Sequence, residues 1–201
     1  VSQRGSKSGI NMNILLLTPR ENVDAIQRIF AGDKLTVRDG PITEDSAKGF
    51  DLGVSYGYRH ILKPNVLAIL PVVNLHIAYL PWNKGADPNL WSWIENTPKG
   101  VTIHWCDHGV DTGDIIAQRT TDMNWDETLA TSYQKLHADI LDLFRETWPK
   151  IRSNEAPRTP QAKTYGSFHR MKDKEDVAHL LKEGWDTKVY ELEQEFFKDE
   201  D

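Results

Sequence analysis

The chain has 201 residues, enough for one domain or a core domain with a tail, and enough to bury a sizeable core. Its 39% hydrophobic content excludes a wholly disordered chain, and its formal charge of −6 speaks against an extended nucleic-acid-binding surface. The single cysteine, Cys106, excludes an internal disulfide and fits a reducing compartment. No apolar run reaches the length of a membrane span, and Val1 to Asn11 reads as a polar lead-in without a signal-peptide apolar core, so a cytoplasmic location is expected.

Apolar segments alternate with helical patterns along the chain. Asn13 to Leu17 (NILLL) is a continuous apolar run closed by Thr18-Pro19, as a buried parallel strand requires. Glu21 to Phe30 carries Val23, Ile26 and Ile29/Phe30 at helical spacing. Leu35 to Arg38 and Asp51 to Tyr56 read as short strands, Pro64 to Leu70 as a short helix with Pro64 in its first turn, and Val72 to His76 as the next strand. After a loop rich in Pro, Asn and Gly, Asp87-Pro88 starts a short helix with Leu90, Trp91 and Ile94. Val101 to Cys106 and Ile115 to Arg119 read as a strand pair around the Asp111 loop.

The longest helix is signalled most clearly. Asn124 and Glu127 match a capping-box pattern, and Leu129, Tyr133, Leu136, Ile140, Leu143/Phe144 and Trp148 repeat every three or four residues, with Pro149 limiting the C-terminal end. Ser153 to Lys163 is a Pro-punctuated connector. Tyr165 to Arg170 is a candidate strand beside a cleft, and Asp173 to Gly184 a further amphipathic helix with Val177, Leu180 and Leu181 inward. The acidic tail, Glu191 to Asp201, is expected to fray. Strands separated by helices predict an α/β fold, a mostly parallel sheet with helices on both faces.

In such sheets ligands bind at the carboxyl ends of strands. Asn74 and His76 lie at the end of one strand and Asp111 follows another. Taken singly, Asn74 fits a turn, His76 a loop histidine, and Asp111-Thr112-Gly113 a turn between strands. Placed together, they form an amide that can hold an oxyanion, an imidazole that can add a second donor, and a carboxylate that can orient the imidazole and move a proton. That set suits passing an acyl group from one nitrogen to another without a covalent enzyme intermediate.

NLHIAYLPWNKG (Asn74 to Gly85) and TPKGVTIHWCDHGVDTGDIIAQ (Thr97 to Gln118) resemble the catalytic domain of folate-dependent N-formyltransferases. That group includes the glycinamide ribonucleotide, methionyl-tRNA and sugar-nucleotide enzymes and the formylation domain of linear gramicidin synthetase. The resemblance covers roughly Asn13 to Asn154. It implies a formyltransferase-type Rossmann variant without a dinucleotide, a catalytic domain over 12–154, and a C-terminal extension over 155–201 packing on or beside it. It also implies N10-formyltetrahydrofolate as co-substrate and Asn74, His76 and Asp111 as the catalytic residues.

On the folate side the resemblance implies Arg59, His60, Ile61 and Leu62, together with Cys106 and Asp107 of the Asp111 loop. On the acceptor side the candidates are Trp82, Asn83, Lys84 and Trp91, with core packing the alternative for Trp91. One departure stands beside the catalytic histidine: His76-Ile77-Ala78-Tyr79-Leu80-Pro81 replaces the common His-Pro-Ser-Leu-Leu-Pro. His104, Cys106 and His108 alternate on one strand, but structural zinc wants four well-spaced ligands, so no metal is expected.

The expected reaction is formyl transfer to a primary amine of a small metabolite. The favoured acceptor is a nucleotide-linked 4-amino-4,6-dideoxy sugar, such as a dTDP sugar. An amino acid or peptidyl amine competes. A formyltetrahydrofolate hydrolase is an alternative, though that enzyme carries an N-terminal regulatory domain for which the stretch before Asn13 is too short. A non-catalytic folate-binding domain is the third. Neither nucleic acid nor membrane is expected as a partner. A second domain of the kind that acts on tRNA is not expected, and the long helix and tail suit a homodimer interface as well as core packing.

Overall fold

In the computed structural model, which describes residues 11–198 and the side chains of 11–193, the chain forms strands β1 (Asn13–Leu17), β2 (Lys34–Arg38), β3 (Leu52–Tyr56), β4 (Val72–His76), β5 (Lys84–Gly85), β6 (Gly100–Trp105), β7 (Ile115–Thr120) and β8 (Phe168–His169). Six of them make one sheet in the order β2-β1-β3-β4-β6-β7, and β5 pairs with β8 in a separate ribbon. β2, β1, β3 and β4 are parallel, whereas β6 runs antiparallel to β4 and β7 antiparallel to β6. The sheet is mostly parallel, with an antiparallel edge.

The helices are α1 (Val23–Ile26), α2 (Glu44–Ala47), α3 (Pro64–Leu67), α4 (Pro88–Ile94), α5 (Leu129–Arg152), α6 (Lys174–Val177) and α7 (Val189–Lys198). Side chains alternate between the faces of each strand, so β1 sends Ile14 and Leu16 to one side and Leu15 and Leu17 to the other. On the first face they meet α5 through Leu136, Ile140, Phe144 and Trp148, and on the second they meet Ala47, Val66 and Leu70. Each of these fully buried large side chains contributes roughly 1.5–3 kcal/mol. Helices therefore cover both faces, and no helix among the described residues is long and apolar enough to cross a membrane.

Several elements differ from their sequence signals. The helical pattern over Glu21–Phe30 is broken into a 3₁₀ turn, α1 and a second 3₁₀ turn. The capping box of α5 is built by Thr128 and Thr131, whose side chains and amides bond reciprocally at 3.1 and 2.9 Å, rather than by Asn124 and Glu127. Glu127 is otherwise engaged: it accepts from the Thr131 hydroxyl and pairs with Lys135.

Pro149 lies inside α5 instead of ending it. A proline there removes one N–H at a cost of about 3 kcal/mol in an isolated helix. Ile151 is buried in the core and Arg152 forms an ion pair with Asp33 at 2.8 Å, and these anchor the extra turn. Asp173–Gly184 is α6 flanked by 3₁₀ turns, although Val177, Leu180 and Leu181 do pack inward. The tail is helical through Lys198 because Val189 and Leu192 are fully buried against Leu90, Trp93 and Leu129. The rest of that tail, and Val1 to Ile10 of the lead-in, lie outside the described residues.

Candidate active site

The site occupies the face of the sheet that α2 and α3 cover over β1. Val72 belongs to that apolar layer, and by the period-two rule Asn74 and His76 share its side of β4. β6 supplies the opposing pair: Asn74 stands opposite His104 and His76 opposite Thr102. β6 runs antiparallel to β4, so the strand that precedes Asp111 ends beside the start of β4 rather than beside His76. The loop instead folds back over the face, with Cys106 N–H donating to Val72 O at 2.8 Å and Trp105 N–H to Asp114 O at 2.9 Å.

That reversal demands special backbone. Asp111 has φ 54°, and a Cβ on Gly113 would stand 1.8 Å from Trp105 O, so only glycine fits. Asp107 closes the loop by accepting from Gly109 N–H at 3.0 Å and the Thr112 hydroxyl at 2.6 Å.

The Asp111 carboxylate gathers four donors or rings. Its Oδ1 accepts from Asn74 Nδ2 at 3.1 Å and lies 3.3 Å from His104 Nε2. Its Oδ2 accepts from Gly85 N–H at 2.8 Å and lies 3.6 Å from His76 Nδ1. Burial alone would raise the Asp111 pKa, but His76, His104 and the Gly85 amide outweigh it and hold the group well below the usual carboxylate range. The carboxylate is therefore charged at neutral pH.

Main-chain carbonyls fix both imidazoles. His76 Nε2 meets Asn83 O at 2.9 Å and His104 Nδ1 meets Trp105 O at 2.9 Å. A carbonyl only accepts, so those nitrogens carry protons. Each ring then turns its other nitrogen toward Asp111, and a further proton there makes an imidazolium–carboxylate pair. Asn74 Nδ2 also lies 3.2 Å from His104 Nε2, so the amide touches both Asp111 and the His104 ring.

The altered loop after His76 has its own support. Thr102 Oγ1 donates to Ala78 O at 2.7 Å and accepts from Leu80 N–H at 3.1 Å, while Gln118 Nε2 donates to Leu80 O at 2.7 Å. The Leu80–Pro81 bond is cis.

The other sequence candidates fall into two groups. Arg59, His60 and Ile61 are exposed, Ile61 by 80%, while Leu62 and Cys106 both pack against the Leu15–Val66–Leu70 cluster. Leu62 and Cys106 thus share one apolar cluster, and Cys106 leads into the Asp111 loop. Burial, followed by the Asp111 and Asp107 carboxylates, pushes the Cys106 thiol well above its ordinary pKa and keeps it protonated. His104 and Cys106 turn to different surroundings and His108 is exposed, so the alternating trio does not converge.

On the acceptor side, Trp82 and Lys84 are half-buried, whereas Asn83 is fully buried and Trp91 stacks on His169 at 3.9 Å. Trp82 and Tyr165 stand 5.8 Å apart on a cleft of about 460 Å³ that Tyr79, Pro81, Gln118 and Gln161 also line. Sequence reading missed His104 in this role, because an antiparallel register cannot be read from spacing. It also missed Gly85, Thr102, Gln161 and Ser167, which act through main-chain contacts or structural hydrogen bonds.

Comparison with known proteins agrees with this geometry. A family model described as formyl transferase matches residues 41–145. Methionyl-tRNA formyltransferase of Syntrophus aciditrophicus is 35% identical over 129 residues, covering 63% of this chain and 41% of that protein. Its counterpart in Clostridioides difficile is 31% identical over 167 residues, covering 79% of this chain and 50% of that protein. The chain thus spans half or less of the length of these curated relatives. Among solved structures, the formyltransferase PseJ from Anoxybacillus kamchatkensis is 43% identical with a TM-score of 0.83, covering 92% of this chain and 98% of that one. It was solved in complex with UDP-4,6-dideoxy-4-formamido-L-AltNAc and tetrahydrofolate.

Proposed function

The chain belongs to the formyl transferase family, and from that premise we propose that it moves the formyl group of N10-formyltetrahydrofolate to the 4-amino group of a UDP-linked 4-amino-4,6-dideoxy sugar. The observation that carries the acceptor is the 43% identity, over 92% of this chain, to a protein solved with the corresponding formamido sugar and tetrahydrofolate. It favours UDP over the dTDP carrier expected from sequence.

The site chemistry supports the reaction. The neutral amine attacks the formyl carbon, forming a C–N bond and pushing the carbonyl pair onto oxygen. An Asn74 N–H stabilises that oxyanion, and the His76 ring, as an imidazolium facing Asp111, opposes the same charge. A proton on His104 Nε2 turns that ring into a donor to Asp111 and releases the Asn74 N–H that the neutral ring had held. The amine gives its proton to the Asp111 carboxylate, directly or through water, because the His76 imidazolium has no vacant nitrogen. That proton passes on to N10 of the folate as its bond to the formyl carbon breaks. The products are the formamide and tetrahydrofolate.

Leu62, Ile61 and the Cys106–Asp107 turn offer a wall and main-chain groups for the pterin, with Arg59 and His60 at its open side. Trp82 and Lys84 offer contacts to the acceptor, with Asn83 and Trp91 supporting their loop from behind. The catalytic unit is residues 12–154, and the chain beyond it forms an extension whose Val189 and Leu192 pack beside it. A tRNA-linked amine, suggested by the names of the curated relatives, is disfavoured by the formal charge of −6.

The test is incubation of the full chain with N10-formyltetrahydrofolate and UDP- or dTDP-linked 4-amino-4,6-dideoxy sugars. Tetrahydrofolate release and the mass of the sugar product are followed together. Amine-dependent release with a formylated UDP sugar upholds the reading. Release of formate without amine points to a hydrolase, and binding without turnover to a folate-binding domain; either overturns it.

A further inference from the structure

Asp111 and Asn83 both sit in left-handed backbone, with φ 54° each, a conformation that L side chains disfavour. Asp111 is the carboxylate of the site, and Asn83 supplies the carbonyl that fixes His76. Something outside the two loops must hold them there.

One segment, Thr159 to His169, holds both. Ile115 and Thr159 exchange two main-chain hydrogen bonds at 2.8 and 3.0 Å. From that anchor Gln161 Nε2 donates to Asp111 O at 2.9 Å and Gly113 O at 2.8 Å, clamping the turn on either side of Thr112. Farther along, Ser167 Oγ accepts from Asn83 N–H at 2.9 Å. Lys84 N–H donates to Ser167 O at 3.0 Å and Ala86 N–H to His169 O at 2.9 Å. Between those two amides lies Gly85, whose own N–H reaches Asp111. A Cβ on Gly85 would stand 2.2 Å from His169 O, so the two chains approach as closely as glycine permits.

Glu95 closes the seam by accepting from Asn83 Nδ2 at 3.2 Å and pairing with His169 Nε2 at 2.8 Å. Residues late in the sequence therefore bond the main chains that carry the Asp111 carboxylate and the Asn83 carbonyl on which His76 rests.

We infer that Gln161 and Ser167 are positioning residues for formyl transfer, acting through the Asp111 and Asn83 main chains rather than on the reactants. This inference rests on the formyl-transfer reading of the site. A misplacement near 1 Å can cost on the order of 100-fold in rate, so Gln161→Ala and Ser167→Ala are expected to lower kcat by roughly 10- to 100-fold while KM for the formyl donor holds. Ser167→Thr, which keeps the hydroxyl, restores kcat, whereas Gln161→Glu, which turns an acceptor toward two carbonyls, does not.

Melting temperatures and the ¹⁵N-detected His76 Nε2–H resonance are recorded for each variant. Parent-level kcat in both alanine variants, or a loss seen in KM alone, overturns the inference. Should an alanine variant fail to fold, Ser167→Thr and Gln161→Glu decide: the first active and the second impaired upholds it, any other pattern overturns it. If the parent chain formylates no amine, the functional reading fails separately. The His76 resonance then decides, and one unmoved by Ser167→Ala overturns the positioning role.

Discussion

Asn74 on β4 and His104 on β6 are register partners, and their side chains meet at 3.2 Å beside the Asp111 carboxylate. The pairing sets the Asn74 amide between the Asp111 carboxylate and a neighbouring ring. It arises because the sheet turns antiparallel between these two strands; a parallel β6 would carry its histidine in another register.

Removing His104 leaves an Asn74 N–H without its acceptor and Asp111 without one of its two rings. His104→Ala should lower kcat by roughly 10- to 100-fold with little change in KM for the formyl donor. Steady-state kinetics across pH, with circular dichroism to establish folding, checks this. An unchanged pH–rate profile would separate the two histidines functionally.

Asp111→Asn and His76→Ala remove the charge and the ring that face each other at 3.6 Å. Each should reduce turnover by about 10²–10⁴-fold, as loss of a positioned proton-transfer group does, while folate binding persists. Parent-like turnover in either folded variant would displace these residues from the chemistry.

Burial pushes the His137 pKa down from 6.5 to about 4, and its Nδ1 lies 2.6 Å from the Tyr56 hydroxyl. Burial and then Tyr133 raise Tyr56 to about 12, so the hydroxyl stays protonated and donates to the ring. Between the two His137 values the unfolded chain binds more protons than the folded one. The stabilisation is complete above the ordinary histidine value and is lost as pH falls toward the folded value, with a slope of at most about 1.4 kcal/mol per pH unit from this group. Urea titrations between those pH values should show the slope in the parent and a flatter curve in His137→Gln.

The start of α5 offers a local stability test. Thr128 caps the helix and bonds reciprocally with Thr131. Thr128→Ala should destabilise the chain by about 1 kcal/mol, read as a lower denaturant midpoint at an unchanged m-value. Asn124→Ala, at the position the sequence pattern favours, should have a much smaller effect.

Much of the fold was legible because local rules decide it. The continuous apolar run of β1, the Pro-started α3 and the 3.6-residue stripe of α5 follow from burial and periodicity alone. The ends of α5 were misread because Asn124 and Glu127 fit the same capping rule that Thr128 and Thr131 satisfy, and because tertiary packing of Ile151 carries the helix past Pro149. The direction of β6 was hidden, since an isolated strand pattern has no polarity.

Asn74, His76 and Asp111 stood out by residue type and spacing, and the structure brings them to one carboxylate. His104 looked like part of a metal cluster until register placed it opposite Asn74. Gly85, Gln161 and Ser167 contribute amides or structural hydrogen bonds, which leave no signature of chemistry in a sequence.

The flat stack of Trp91 on His169, with rings 5° from parallel, gives the seam between the acceptor loop and the C-terminal segment an optical signal. A protonated imidazole against an indole quenches its emission by accepting an excited electron, and separation of the rings restores it. In a chain whose other tryptophans are replaced by phenylalanine, Trp91 fluorescence would report whether His169 stays stacked on it when Gln161 or Ser167 is replaced, with no label attached.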